Sequence, residues 1–232
     1  MIDARVVVIT GAAGRLGRAL ADSFSRQGDA VVVVDRSRER LATLYTEGAA
    51  CRFAVADLLD AAAVRTAVDE AAGAFGRLDV LCNAAGGFAM GTPVHETPDD
   101  AWDRLHDLNV RTLRHACAAV VPHLLRAGRG AIVNVGSFSA LRGAAGTGAY
   151  VASKAEVIRL TESMSAELRE RGVNVNCVLP TILDTPENRA SMPGADPARW
   201  VSLDALADVV RFLASDAARA VHGAALPVTG LS

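Results

Sequence analysis

Four consecutive valines, Val31 to Val34, fill an apolar run between Ala30 and Asp35. A strand with one wet face alternates apolar and polar residues, whereas an unbroken run of β-branched side chains requires cover on both faces. A parallel sheet held between two helical layers supplies that cover. The runs Val6 to Thr10, Ala30 to Asp35, Arg52 to Ala56, Val80 to Asn83, Ala131 to Val135, Val173 to Leu179 and Ala225 to Val228 read as strands. Between them, segments rich in Ala, Leu, Arg and Glu predict helices over Gly14 to Gln27, Ala61 to Phe75, Ala101 to Ala127, Ala149 to Arg171 and Asp204 to Ala214. Alternation of the two throughout predicts an α/β architecture, a doubly wound, seven-stranded parallel sheet with helices on both faces. No repeat, low-complexity segment or linker divides the chain, so residues 1–232 are expected to form a single domain.

Charge narrows the functional classes. The chain carries 24 Lys and Arg against 26 Asp and Glu, a net charge of -2, with no basic block to neutralise phosphates or anionic lipid. Nucleic acid and membrane surfaces are therefore not expected partners. No apolar run is long enough to span a bilayer, and no signal peptide precedes the first strand, so the cytoplasm is the expected location. Cys51, Cys82, Cys117 and Cys177 are widely spaced in apolar surroundings and form no Cys-x-x-Cys pair. They are expected to be reduced core residues, with no disulfide framework and no metal site.

The first strand ends in Thr10-Gly11-Ala-Ala-Gly14-Arg15-Leu16-Gly17, which runs directly into a helix. Glycines permit a tight turn and close backbone approach, and a helix N-terminus offers unpaired N–H groups at the positive end of its dipole. With a strand before it and a helix after it, the segment is expected to seat a dinucleotide pyrophosphate, as in a Rossmann fold; glycines placed only for turn geometry are the bland alternative. Asp35, closing the second strand, lies where a carboxylate would accept hydrogen bonds from both ribose hydroxyls and repel a 2′-phosphate. This favours NAD. Arg36 keeps NADP open, since a guanidinium there could grip that phosphate, although it equally reads as a solvated arginine opening a polar helix.

Lys154 is the only lysine in the chain and follows Tyr150, one of two tyrosines, by four residues. On a helix that spacing puts both on one face. An ammonium is a compact charge whose pKa responds to its surroundings, which a guanidinium does not. Held near a phenol it favours the phenolate, and moving a tyrosine from about 10 towards neutrality takes roughly 4 kcal/mol. The pair is a candidate general acid/base. The bland alternative is a surface lysine left behind by arginine drift beside a packing tyrosine.

With these motifs in order, the chain resembles the short-chain dehydrogenase/reductase family over essentially its whole length. Asp57-Leu58 is similar to the family's adenine contact, and Asn83-Ala84-Ala85-Gly86 resembles its Asn-Asn-Ala-Gly segment, with alanine for the second asparagine. Asn109, Ser137, Tyr150 and Lys154 match its catalytic tetrad, and Pro180 follows the sixth strand, with Thr181 where the family has glycine and Ile182 beyond it. The resemblance implies hydride transfer between nicotinamide and a carbonyl or alcohol. In it Tyr150 is the general acid/base, Ser137 a hydrogen-bond donor to the substrate oxygen, Lys154 the group that lowers the phenol pKa and holds the nicotinamide ribose, and Asn109 the holder of a relay water. It also implies a homo-oligomer, a tetramer or dimer, formed through the helices at 101–127 and 149–171, whose many alanines suit close packing.

Arg15 stands where the classical pattern has its second glycine. That spacing, with the segments at 85–91 and 183–200, is similar to the dihydropteridine reductase branch, which prefers NADH but characteristically lacks the serine found here as Ser137. Reduction of a quinonoid dihydropterin or another conjugated C=N or C=C bond is thus an alternative to carbonyl chemistry. A non-catalytic dinucleotide sensor is a further one, disfavoured by the retained tetrad. Gly87, Phe88, Met90, Phe138, Leu141 and Trp200 are expected to line an apolar substrate pocket, and the short, proline-rich segment at 180–202 to form a small lid.

Overall fold

The computed structural model describes residues 4–232. Its strands are β1 (Val6–Thr10), β2 (Ala30–Asp35), β3 (Cys51–Val55), β4 (Val80–Asn83), β5 (Gly130–Val135), β6 (Val173–Pro180) and β7 (Ala225–Val228). All seven join one sheet in the order 3-2-1-4-5-6-7, and every neighbouring pair is parallel. The helices are α1 (Arg15–Arg26), α2 (Arg38–Leu44), α3 (Ala61–Phe75), α4 (Asp99–His106), α5 (Thr112–Ala127), α6 (Gly148–Leu168), α7 (Pro186–Ser191) and α8 (Leu203–Leu213).

The valine run explains itself in the two cores. Val32 and Val34 pack with Val6 and Val8 against α3, α5 and α6, while Val31 and Val33 pack with Val7 and Ile9 against α1 and α8. All four valines are at most 2% exposed. Burying each is worth about 1.5–3 kcal/mol, and a polar residue at any of the four would face a helix. The order reverses between β1 and β4, the switch point outside whose carboxyl ends open α/β sheets bind ligands.

The expected helix over 101–127 is not continuous. It comprises α4, a π turn at Asp107–Arg111, and α5. A π turn fits an extra residue into the helix and is a recognised device at functional sites; here it lies where Asn109 turns inward to bond across to Gly87 and Ser153. The expected strand Arg52 to Ala56 begins one residue earlier, at Cys51, and the expected helix end at Arg171 is a 3-10 turn, Arg169–Arg171, closed by Gly172 in the left-handed region (φ 80°). Cys82, Cys117 and Cys177 are buried, but Cys51 is only half-buried because β3 is the sheet edge. The segment after β6 folds into the short helix α7 and a 3-10 turn at Pro197–Arg199. Among the described residues no helix is long and apolar enough to cross a membrane.

Candidate active site

Two glycines make the turn after β1. Gly11 has φ 64°, and a Cβ on it would lie 2.9 Å from Ala85 Cα; a Cβ on Gly17 would lie 2.3 Å from the Gly11 carbonyl oxygen. The loop is therefore drawn against both the end of β4 and the first turn of α1. Thr10 closes the switch point: its hydroxyl accepts hydrogen bonds from the Ala84 and Ala85 N–H groups at 3.1 and 3.2 Å. Side chains cap α2, α3, α7 and α8, through Ser37, Asp60, Thr185 and Ser202. At α1 the N-cap is Gly14 and no side chain caps the first turn. Bare backbone, no Cβ in the way and free N–H groups are what a pyrophosphate needs, so Gly11, Gly14, Arg15, Leu16 and Gly17 fit a dinucleotide.

Three side chains hold this loop, of which Tyr45 and Arg40 were absent from the sequence reading. The Asp35 carboxylate accepts the Ala13 N–H at 3.1 Å, Tyr45 donates its hydroxyl to the Ala12 carbonyl at 2.8 Å, and Arg40 donates to the Ala13 carbonyl at 3.0 Å. Asp35 thus has a second task besides any ribose contact. Arg36 is exposed. Asp57 is exposed and accepts the Leu59 N–H, whereas Leu58 is buried and its carbonyl meets His115 Nδ1 at 2.8 Å. Arg15 reaches across to Glu187 of α7, with contacts of 3.0 and 3.1 Å, joining the glycine loop to that helix.

Tyr150 and Lys154 lie one turn apart on α6. Lys154 is 6% exposed, and its ammonium donates to the Val135 carbonyl at the end of β5 (2.8 Å). Burial drives its pKa down to about 8, opposed by Cys177. The Tyr150 phenol is pushed above its ordinary value by burial, while a hydrogen bond with Ser137 pulls it the other way. The ammonium is directed to a carbonyl, and it is Ser137 that favours the phenolate.

Asn109, 1% exposed, is occupied more fully than a water-holding role suggests. Its Oδ1 accepts the Gly87 N–H (2.9 Å), and its Nδ2 donates to the Gly87 carbonyl (3.1 Å) and to Ser153 Oγ (3.0 Å). It clamps the turn after β4. Gly86 in that turn was quoted in the motif but given no role, and it now has one: a Cβ there would lie 2.8 Å from Asn109 Oδ1 and 3.3 Å from Lys154 Nζ. The Asn83 side chain points into the core, donating to Asn134 Oδ1 (2.9 Å), and Asn134 donates in turn to Thr161 (2.8 Å). Any cofactor contact at 83–85 therefore falls to backbone and to the half-buried Ala84 and Ala85. Pro180 is buried and Ile182 half-buried at the end of β6.

Around the phenol the surface is apolar. Phe88 stands edge-on to the Tyr150 ring with centroids 4.8 Å apart, and Phe88, Met90, Phe138 and Leu141 are all exposed, beside half-buried Gly87. Trp200 differs from these: it is buried, with the backbone at Gly230 packed against its main chain.

The chain matches the family model described as short chain dehydrogenase over residues 5–195. It is 35% identical over 243 residues to the 2-(R)-hydroxypropyl-CoM dehydrogenase of Xanthobacter autotrophicus, covering 97% of both chains. Its fold is similar to that of a carveol dehydrogenase from Mycobacterium avium solved in complex with NAD, with TM-score 0.88, 28% identity, and 97% and 96% of the two chains covered. A gluconate 5-dehydrogenase from Burkholderia cenocepacia, solved with NADP and tartrate, is similar with TM-score 0.89, 31% identity, and 99% and 95% covered.

Two predictions follow from the geometry. Gly86→Ala should lower kcat by about ten- to a hundredfold, the scale of a misplacement near 1 Å, and, because the new Cβ crowds the buried Asn109 amide, should also cost roughly 1–3 kcal/mol of stability; steady-state rates beside a melting curve check both. The second concerns pH. Folded Lys154 releases its proton near pH 8, against 10.5 for the ordinary side chain. Between those values the unfolded chain binds more protons, so the penalty of the buried ammonium is present in full below pH 8 and fades as pH rises towards 10.5. In cofactor-free protein, the stability of Lys154→Met relative to the parent should fall by on the order of 3 kcal/mol between neutral pH and the upper end of that window. Urea titrations giving the same difference at both ends would contradict it.

Proposed function

The chain belongs to the short-chain dehydrogenase/reductase family and is an NAD(P)-dependent oxidoreductase of alcohol and carbonyl substrates, and on that premise we propose that Tyr150 is its general acid/base. The observation that carries this reading is the Tyr150 phenol, one helical turn along α6 from the buried Lys154, whose ammonium reaches the Val135 carbonyl at the end of β5, with Ser137 drawing the phenol pKa down. When bound, the nicotinamide supplies or accepts the hydride. In the reductive direction the Tyr150 hydroxyl gives its proton to the substrate oxygen as negative charge grows there. Ser137 donates a hydrogen bond to the same oxygen, a stabilisation that strengthens towards the transition state. Lys154, with a pKa near 8, can return a proton to the phenol at neutral pH. Asn109 acts as a positioning residue, holding the Gly86-Gly87 turn clear of the ammonium.

For the cofactor, the glycine loop from Gly11 to Gly17 receives the pyrophosphate, Asp35 the adenosine ribose, and Asp57 and Leu58 the adenine. Asn83, Ala84 and Ala85, Lys154, Pro180 and Ile182 border the nicotinamide half. The Asp35 carboxylate, ordered by the Ala13 N–H, supports NAD as the preferred form. The exposed Arg36 is the feature that would admit NADP. The substrate is a small or medium apolar alcohol or ketone, received by Phe88, Met90, Phe138 and Leu141 and by Gly87. Trp200 supports the lid from its buried position. Reduction of a conjugated C=N or C=C bond stays as a second reading, favoured by Arg15 in the glycine motif and opposed by Ser137 at the phenol. All the described strands lie in one sheet, which supports reading the chain as one domain. Exposed alanines on α5 and α6, Ala118 and Ala152 among them, support assembly as a homotetramer or homodimer; the cytoplasm is the proposed location.

Tyr150→Phe should lower turnover by about 10²–10⁴-fold while dinucleotide affinity stays nearly constant. Nicotinamide absorbance across a panel of ketones and alcohols, with calorimetry for binding, tests this; a variant as active as the parent removes Tyr150 from the chemistry. NADH should bind at least about tenfold more tightly than NADPH, a difference of roughly 1.4 kcal/mol. Asp35→Ser should narrow the gap by improving NADPH, and equal affinities in the parent would overturn the NAD preference.

A further inference from the structure

On the side of the sheet opposite the candidate active site, a groove of about 390 Å³ opens at the amino ends of β4, β5 and β6. That volume suits a small molecule better than a single ion. Its walls include the first residues of those strands, Val80, Ala131 and Val173, and its rim is unusually cationic. Five arginines line it, drawn from positions scattered between 5 and 219. Two are committed elsewhere: Arg5 grips Asp29 through two hydrogen bonds and donates to the Ala214 carbonyl, and Arg77 pairs with Asp79. The Asp79 carboxylate is taken up in turn by Arg77 and the Val6 N–H.

Arg129, Arg169 and Arg219 differ. Among the described residues none of the three forms an ion pair, and Arg219 reaches only the Asp216 carbonyl, at 3.3 Å. The Asp216 carboxylate also lines the groove, so the local balance still leaves positive charge in excess. The turns bearing Arg129 and Arg169 are locked together. Gly172 (φ 80°) lies so close to the Gly128 carbonyl that a Cβ would come within 2.1 Å of its oxygen, and the Gly130 N–H donates to the Gly172 carbonyl at 3.1 Å. Solvated arginines on a convex surface spread apart. Guanidiniums held around one concavity, beside apolar wall residues that help focus their field, make a favourable seat for an anion. Their planar forks match the oxygens of phosphate or carboxylate.

We propose that this groove is a binding site for a small polyanion, a molecule carrying two or more phosphate or carboxylate groups, held by Arg129, Arg169 and Arg219. It is separate from the dinucleotide seat, which lies at the other end of the strands.

The test is calorimetric titration of the NADH-saturated enzyme with pyrophosphate and, in a second arm, with citrate, so that the glycine loop is already filled. Binding of either probe is expected, and the tighter one identifies the acid group preferred. The double variant R129A/R169A, altered only at exposed positions, should lose at least about tenfold in that affinity, as expected when two charge-assisted contacts are removed, while turnover with NADH is unchanged. No binding of either probe at millimolar concentration, or a smaller loss in the double variant, overturns the proposal.

Discussion

A lone ammonium inside the protein is the constraint around which the site is arranged. Removing such a charge from water is costly unless it finds a hydrogen-bond partner, and Lys154 finds one in the Val135 carbonyl. That carbonyl is available because β5 ends there, at the carboxyl edge of the sheet. The remaining cost appears as the depressed pKa. A lysine poised near neutrality can carry or release a proton, which an arginine in the same place could not do. This is a physical reason for one lysine in a chain that otherwise uses arginine.

Room for that ammonium comes from the neighbouring strand. Gly86 leaves open the space a Cβ would fill between Asn109 and Lys154, and Asn109 fixes the turn through both the N–H and the carbonyl of Gly87. The π turn carries Asn109 at the point where it makes these bonds. One turn back along α6, Tyr150 forms a T-shaped pair with Phe88, and Ser137 draws its phenol towards the phenolate. On the other side of the switch point, Thr10 ties the ends of β1 and β4 together and Asp35 steadies the glycine loop. The proposed proton donor and the dinucleotide seat are thus positioned by hydrogen bonds between side chains and the backbone at neighbouring strand ends, under the rigidity of a sheet buried on both faces.

Much of this was legible in the sequence because it is local. The valine run implies burial on both faces, and Thr10-Gly11 through Gly17 implies a strand, a tight turn and a helix start. Residues Ser137, Tyr150 and Lys154 stand at a spacing that chance does not readily produce. What was not legible depends on contacts distant in sequence or made by main chain. Nothing in the residue pattern shows that the Lys154 partner is a carbonyl, that Asn109 is saturated by Gly87 and Ser153, or that Asn83 turns inward to Asn134. A helical pattern over 101–127 has the same periodicity with or without one wide turn. The basic groove was invisible for a related reason: its arginines come from separate turns, and charges mixed evenly along a chain can still converge in space.

The most direct test of the account is isotope transfer. NADH carrying deuterium at both C4 positions of the nicotinamide is incubated with the enzyme and a small apolar ketone that supports turnover, and the alcohol is analysed by mass spectrometry and NMR. The account predicts one deuteron on the carbinol carbon per nicotinamide oxidised, with the hydroxyl proton drawn from solvent by way of Tyr150. Oxidation of the cofactor without deuterium at that carbon, or no oxidation by any carbonyl or alcohol pair, would contradict it.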